Sequence, residues 1–120
     1  MNYSARKDTI KAESIKHRAA EMAALDMVKA RWDAVPWGYD MAELQDAMRS
    51  GRSVTDAYRT LMADLEALRG LAKIAEGIDA VTQDYDVNRR AVNFKAAIMR
   101  AEDVLLRGEY KVAYDKERAQ

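Results

Sequence analysis

The chain has 120 residues, enough for one domain and too few for two of ordinary size. Twenty Lys and Arg residues balance twenty Asp and Glu residues, so the net charge favours neither a nucleic-acid nor a membrane partner. The absence of cysteine excludes a disulfide framework, a thiolate nucleophile and a cysteine zinc site. No apolar run approaches the length of a membrane span, and we expect a soluble protein of the cytoplasm, in a bacterium or in the interior of a host cell.

Helix-forming residues dominate the composition, which has one proline and five glycines. No stretch alternates apolar and polar residues over the length that a half-buried strand needs. The sequence therefore predicts an all-α fold: a single domain over residues 1–120, built as an antiparallel three- or four-helix bundle.

The first predicted helix is long and runs from about Ser4 to Val35. Its second half carries large apolar residues at helical spacing, namely Leu25, Val28, Trp32 and Val35. Its first half is mostly polar and basic. We expect residues 1–20 to project from the bundle or to fray at the end of the chain.

Capping residues divide the next stretch into a short helix and the start of a longer one. Asp40 has the position of an N-cap, and Glu43 completes a capping-box pattern. A helix is expected from Met41 to about Ser50, with Gly51 at its C′ position. Ser53 is expected to cap the third helix.

The third and fourth predicted helices carry the most regular apolar pattern, with repeats of four and three residues. The third ends near Gly77 and the fourth begins between Asp79 and Asp86, so the two helices form a hairpin with two heptad seams. Residues 109–120 are expected to form a polar tail. The repeating positions are Val54, Tyr58, Leu61, Leu65, Leu68, Ala72 and Ala75 in the third helix, and Val87, Ala91, Phe94, Ile98, Ala101 and Leu105 in the fourth.

Catalytic and metal-binding patterns are poorly represented. The single histidine, His17, lies one helical turn from Glu13 and from Glu21, which is typical of ion pairs on a solvated helix face. No Ser–His–Asp set and no glycine-rich phosphate loop can be assembled. We therefore expect no enzymatic activity, no catalytic residue, no cofactor and no metal site.

The aromatic segment around Pro36 is the best candidate for a binding site. Trp37 and Tyr39 are expected in a loop, and both residue types are enriched at interface hot spots. We therefore expect a non-enzymatic protein that acts through contact with a protein partner, as an adaptor, an inhibitor or a structural subunit. Cysteine-free helical chains of this size are frequent among accessory proteins of phages and mobile elements, which is an analogy of composition alone.

Self-association is a further expectation. Helices this long leave a chain of 120 residues thin, and apolar surface beside Met22, Met27 and Val28 should stay uncovered. A homodimer or a higher oligomer would bury it.

The alternative is a small DNA-binding regulator that uses a helix-turn-helix-like unit at residues 41–61. Four polar residues stand at the turn and at the start of the would-be recognition helix, where contacts to phosphates and bases are made. Asp46 and Arg52 occupy positions that should be apolar in such a unit, and Asp56 would point a negative charge toward DNA. Nucleic acid is therefore the less favoured partner. The four candidate residues are Arg49, Arg52, Thr55 and Arg59.

Overall fold

Helices form most of the protein. The computed structural model describes the backbone of residues 3–120 and the side chains from residue 11 onward, and within these residues there is no strand. The prediction of an all-α fold is confirmed. The helices are α1 (Tyr3–Ala34), α2 (Trp37–Arg49), α3 (Thr55–Asp79), α4 (Tyr85–Leu106) and α5 (Glu109–Arg118).

The pair α3 and α4 forms the centre of the molecule and makes its most extensive helix–helix contact. Ion pairs join Arg69 to Glu102 and Glu76 to Lys95, so the two helices run in opposite directions. The apolar residues that the sequence repeats at intervals of four and three are buried between the helices, except for Ala72 and Ala101, which are half-buried.

Two apolar cores follow one another along this central pair. The α2–α5 core lies at the end where α3 begins, and α2 and α5 cover it. The α1 core lies toward the connection between α3 and α4, and α1 covers it. The buried residues of the α2–α5 core are Leu44, Ala47, Val54, Tyr58, Leu61, Leu65, Leu68, Ile98, Leu105 and Tyr114. Those of the α1 core are Leu25, Val28, Leu71, Ala75, Val87, Ala91 and Phe94.

Helix α1 lies along α4 and points in the same direction. Asp26 pairs with Arg90, and the ring of Trp32 lies 5.1 Å from that of Phe94. Residues 11–20 are all exposed on a continuous helix. Residues 1 and 2, and the side chains of residues 3–10, lie outside the described residues. The expectation that residues 1–20 project from the bundle or fray therefore falls partly outside them.

The molecule is long and thin. Its Cα radius of gyration is 20.5 Å, whereas a compact chain of this length would have about 14 Å. Its extents are 77 × 21 × 16 Å. No helix among the described residues is both long and apolar enough to cross a membrane.

Helix α2 begins three residues before the expected N-cap, so the loop predicted for Trp37 and Tyr39 is wrong. Pro36 is the N-cap residue, and its carbonyl oxygen accepts a hydrogen bond from the N–H of Asp40 at 2.9 Å. Asp40 is therefore inside the first turn, and its side chain caps nothing. The expected capping box with Glu43 is therefore not formed, because the N–H of Asp40 already donates to Pro36 within the helix.

The end of α2 is built as expected. Gly51 has φ +68°, the left-handed conformation that favours glycine at C′. The N–H of Arg52 donates to the carbonyl of Ala47 at 2.9 Å, which satisfies one of the last carbonyl groups of α2. The N-cap of α3 is Val54 and not Ser53, whose hydroxyl donates to Glu117.

The polar tail expected at residues 109–120 is a helix for most of its length. Tyr114 of α5 is 9% exposed and stacks on Tyr58, with ring centroids 4.3 Å apart. Gly108 makes the sharp turn into α5, because a Cβ atom there would lie 2.8 Å from the carbonyl oxygen of Val104. Tyr114 thus docks α5 in the core, and Tyr110 and Ala113 of the same helix pack against that core beside it.

Candidate partner-binding groove

A groove of about 570 Å³ runs between α2 and α4. Leu68 of α3 forms its floor, and Trp32 and Val35 close it where α1 ends. Met41 lines the α2 wall and Ala101 the α4 wall. The lining residues are Trp32, Asp33, Val35, Trp37, Met41, Gln45, Leu68, Ala97, Arg100, Ala101 and Val104. This lining is mostly apolar with a few polar groups, which is typical of a binding groove.

The two aromatic residues predicted as partner-binding lie on different sides of α2. Trp37 is half-buried, packs against the α2–α5 core and lines the groove. Tyr39 is 69% exposed and takes no part in the groove. Only Trp37 is thus placed in a concave apolar surface.

Two acidic side chains meet beneath α2. Asp40 is 7% exposed, and its carboxyl lies within hydrogen-bonding reach of that of Asp64 on α3. One oxygen of each carboxyl (Oδ2) is buried without a hydrogen-bond partner. Burial, together with the neighbouring carboxyl of Asp40, raises the pKa of Asp64 to about 7.

The residues predicted to contact DNA are largely engaged within the molecule. Arg52 pairs with Asp46, and Arg59 donates to the hydroxyl of Tyr114 at 3.3 Å. Helix α5 therefore lies against the start of α3, where a recognition helix would face DNA. Arg49 is exposed.

Glu117 of α5 holds the N-terminus of α3. Its carboxylate accepts hydrogen bonds from the hydroxyl of Ser53, the N–H of Val54 at 2.9 Å and the hydroxyl of Thr55 at 2.8 Å. These bonds, first that from Ser53, hold the pKa of Glu117 below its usual value. A carboxylate at a helix N-terminus is also favoured by the helix dipole.

His17 lies in a second cavity, of about 620 Å³, between α1 and the connection from α3 to α4. Two of the carboxylates that line the cavity are engaged: Glu21 accepts from the hydroxyl of Thr82 at 2.5 Å, and Asp84 pairs with Arg18. Among the side chains described from residue 11 onward, no three acidic, histidine or cysteine groups are placed to hold a metal ion.

The sequence analysis predicted neither the α4 wall of the groove nor the pair formed by Asp40 and Asp64. Ala97 and Val104 line the groove only because α2 lies opposite them, and nothing in their own sequence context indicates this. Asp64 carried a signal, since it stands one turn from both Leu61 and Leu68 on the apolar side of α3. An acidic residue at such a position indicates a buried carboxyl with a partner.

Comparison of the chain with models of protein families, with curated proteins and with solved structures gives no match.

Proposed function

We propose that the protein is a non-enzymatic binding protein whose α2–α4 groove receives an amphipathic helix of a protein partner. The observation that carries this proposal is the position of Trp37 on the wall of a mostly apolar groove. An amphipathic helix buries its apolar face in such a groove through a few large side chains. Trp is the residue type most often found as an interface hot spot, together with Tyr and Arg.

The polar groups of the groove suit the edges of such a helix. Asp33 and Arg100 bring opposite charges to the lining, and Gln45 adds an amide. These groups would orient the bound helix, while the apolar floor would provide most of the affinity. An adaptor, an inhibitor or a structural subunit would each use the surface in this way.

The central pair α3–α4 would serve as a rigid support for the groove. We infer that it packs as an antiparallel hairpin with heptad seams, and the burial of the repeating positions supports this description. Ion pairs such as Arg69–Glu102 flank the buried positions. A groove on such a support would change little in shape when a partner binds.

Self-association is part of the proposal. Its support is the elongated shape, together with the exposure of Met27, which is 44% exposed on α1. Val28, which the sequence placed with the uncovered residues, is fully buried and contributes nothing to such a surface. A homo-oligomer should give a mass above 13.6 kDa in light scattering at micromolar concentrations, and a monomer mass throughout would refute it.

The groove is tested by two substitutions on different walls. Trp37→Ala removes the proposed anchor from α2, and Val104→Arg introduces a long charged side chain on α4. Val104 is 42% exposed, so the arginine can reach solvent without unfolding the core. Met99→Arg is the matched control, because Met99 is on the same helix, is 60% exposed and lies outside the groove.

The measurement has two stages. Wild-type protein first recovers the partner from the native host, and its affinity for the purified partner is then determined for each variant. Trp37→Ala and Val104→Arg should each weaken binding by about 2 kcal/mol or more, the size of a hot-spot effect, while Met99→Arg leaves it unchanged. Equal affinity of wild type and Val104→Arg would refute the groove as the binding site.

Measuring affinity at two salt concentrations tests the DNA-binding alternative. Binding to phosphates falls steeply as salt rises, whereas binding in an apolar groove does not. A steep salt dependence, with loss of binding in an Arg52→Ala, Arg59→Ala double variant, would favour nucleic acid over the proposed function.

A further inference from the structure

The two carboxyl groups of Asp40 and Asp64, which meet beneath α2, are placed so that they are more stable when they share one proton. Asp40 reaches Asp64 from the first turn of α2, at the interface between α2 and α3. Two carboxylates with buried oxygen atoms repel each other when both are ionised, whereas one shared proton makes a hydrogen bond between them. The two buried oxygens without a partner show that no other described donor relieves this repulsion.

No cation among the side chains described from residue 11 onward compensates these two charges. Among the described side chains, neither Asp40 nor Asp64 forms an ion pair, and the charge that acts on Asp64 is that of Asp40. Other charged residues of α2, α3, the end of α1 and the facing part of α4 are exposed to solvent. They are Glu43, Asp46 and Arg49 of α2, Asp56, Arg59 and Glu66 of α3, Arg31 and Asp33 of α1, and Arg100 of α4.

The pair also lies next to the groove in sequence and in space. Asp40 stands between Trp37 and Met41, which both line the α2 wall. Asp64 stands one turn before Leu68, the floor. Any change that loosens the first turn of α2 must therefore move this wall.

We propose that a proton shared by Asp40 and Asp64 holds α2 against α3, and that its loss as the pH rises through neutrality loosens α2 and remodels the groove. The second part, which concerns partner binding, rests on the proposed function. The first part does not, because the attachment of α2 can be measured without a partner.

The direction of the pH effect follows from proton linkage. The pKa of Asp64 is raised from its ordinary value of 3.8 to about 7 while α2 is docked. Between these values the docked state keeps a proton that the undocked state has released, so docking weakens as the pH rises. Above about pH 7 both states are ionised and the effect levels off.

The first experiment titrates the wild-type protein alone. The carbon-13 NMR signals of the Asp carboxyl groups are followed from pH 3 to pH 9, and Asp64 is expected to have a midpoint near 7. A midpoint below about 5 for Asp64 would overturn the proposal, whatever the groove binds. This arm needs no variant, so it cannot fail through misfolding.

The second experiment follows hydrogen exchange of the α2 amides at pH 6 and at pH 8.5, corrected for intrinsic rates. In the wild type the open fraction of α2 should rise about tenfold, as expected for one proton with these two affinities. Asp64→Asn should abolish the rise, because its amide cannot titrate. Glu66→Gln, an exposed neighbour on the same helix, should behave as the wild type.

An unchanged open fraction in the wild type, or an equal rise in Asp64→Asn, would overturn the proposal. Partner affinity separates the two parts. If α2 loosens with pH while Val104→Arg binds the partner normally, the proton-dependent docking stands and the proposed function fails. If the groove variants lose binding while α2 is insensitive to pH, the reverse holds.

Discussion

The two ends of the α3–α4 pair are covered in different ways. At the α1 core a single helix lies along the pair, and its polar contacts, such as Asp26–Arg90, are at the surface. At the α2–α5 core two short helices are held by groups that reach into the interior. There Glu117 of α5 accepts hydrogen bonds from the N–H of Val54 at 2.9 Å and from the hydroxyl of Thr55 at 2.8 Å, and Asp40 of α2 lies beside Asp64 of α3.

This contrast reflects the lengths of the covering helices. Helix α1 has 32 residues and docks through Leu25 and Val28, and its ion pairs with Arg90 and Asp84 lie at the surface. Helices α2 and α5 have 13 and 10 residues, which is short for a helix that is stable alone, so the position of each depends on its connections to α3. The α2–α5 end is therefore the part of the molecule in which single polar groups should control structure, and it also contains the groove.

The largest expected effect separates the two cores. Leu65 is fully buried in the α2–α5 core, and Leu65→Ala should lower the free energy of unfolding by about 2–5 kcal/mol, the usual range for such truncations. Leu25 is equally buried, but it lies on the covering helix. Leu25→Ala should release α1 locally, with loss of amide protection in α1 and little change in α3.

Denaturant unfolding and hydrogen exchange measure these two outcomes. Ile98→Ala is a second test of the central pair, with an expected loss in the same range. A loss below about 1 kcal/mol at both Leu65 and Ile98 would mean that the α2–α5 core is not the main source of stability. Equal loss of protection in α1 and α3 for Leu25→Ala would remove the distinction between the two ends.

The next effect concerns the buried hydroxyl of Tyr58. The carbonyl of Leu105 is in the last turn of α4, where it has no partner within the helix, and Tyr58 satisfies it. Tyr58→Phe should therefore cost about 1–2 kcal/mol in the free energy of unfolding. Tyr39→Phe is the control, because Tyr39 is exposed and should change stability very little. A neutral Tyr58→Phe would show that the bond contributes nothing.

The sequence predicted the long N-terminal helix, the break at Pro36 and the two central helices, because apolar spacing and helix-ending residues are local properties. The sequence-based prediction was wrong where the position of a helix depends on a contact with a residue far away in the chain. Helix α5 looked like a tail because its docking depends on Tyr58, more than fifty residues away in the chain. Trp37 was assigned to a loop because Asp40 resembles an N-cap, while its actual partner, Asp64, is on another helix.

A smaller effect is expected at acid pH from Glu117. Its pKa is lowered in the folded protein, so its contribution to stability is present above its ordinary value of 4.5 and is lost as the pH falls through the lower folded value. Glu117→Gln should flatten this part of the stability curve and increase amide exchange in the first turn of α3. Lys116→Gln, the exposed neighbour, should leave both unchanged. Acid sensitivity identical to wild type in Glu117→Gln would contradict the assignment.

The smallest effect is expected from the surface ion pair of the α1 core. Asp26 is 70% exposed and lies 2.7 Å from the guanidinium of Arg90, and such pairs contribute about 0.2–1 kcal/mol because water and salt screen them. Asp26→Asn should therefore change stability by no more than this, and less at about 1 M salt. The comparison with Tyr58→Phe is the informative result, since each variant removes one polar connection from one end. Denaturant unfolding at low and high salt should give a larger, salt-independent loss for Tyr58→Phe. If Asp26→Asn costs as much as Tyr58→Phe at both salt concentrations, the exposed pair at the α1 core contributes as much as the buried bond at the α2–α5 core, and burial no longer explains the difference between the two ends.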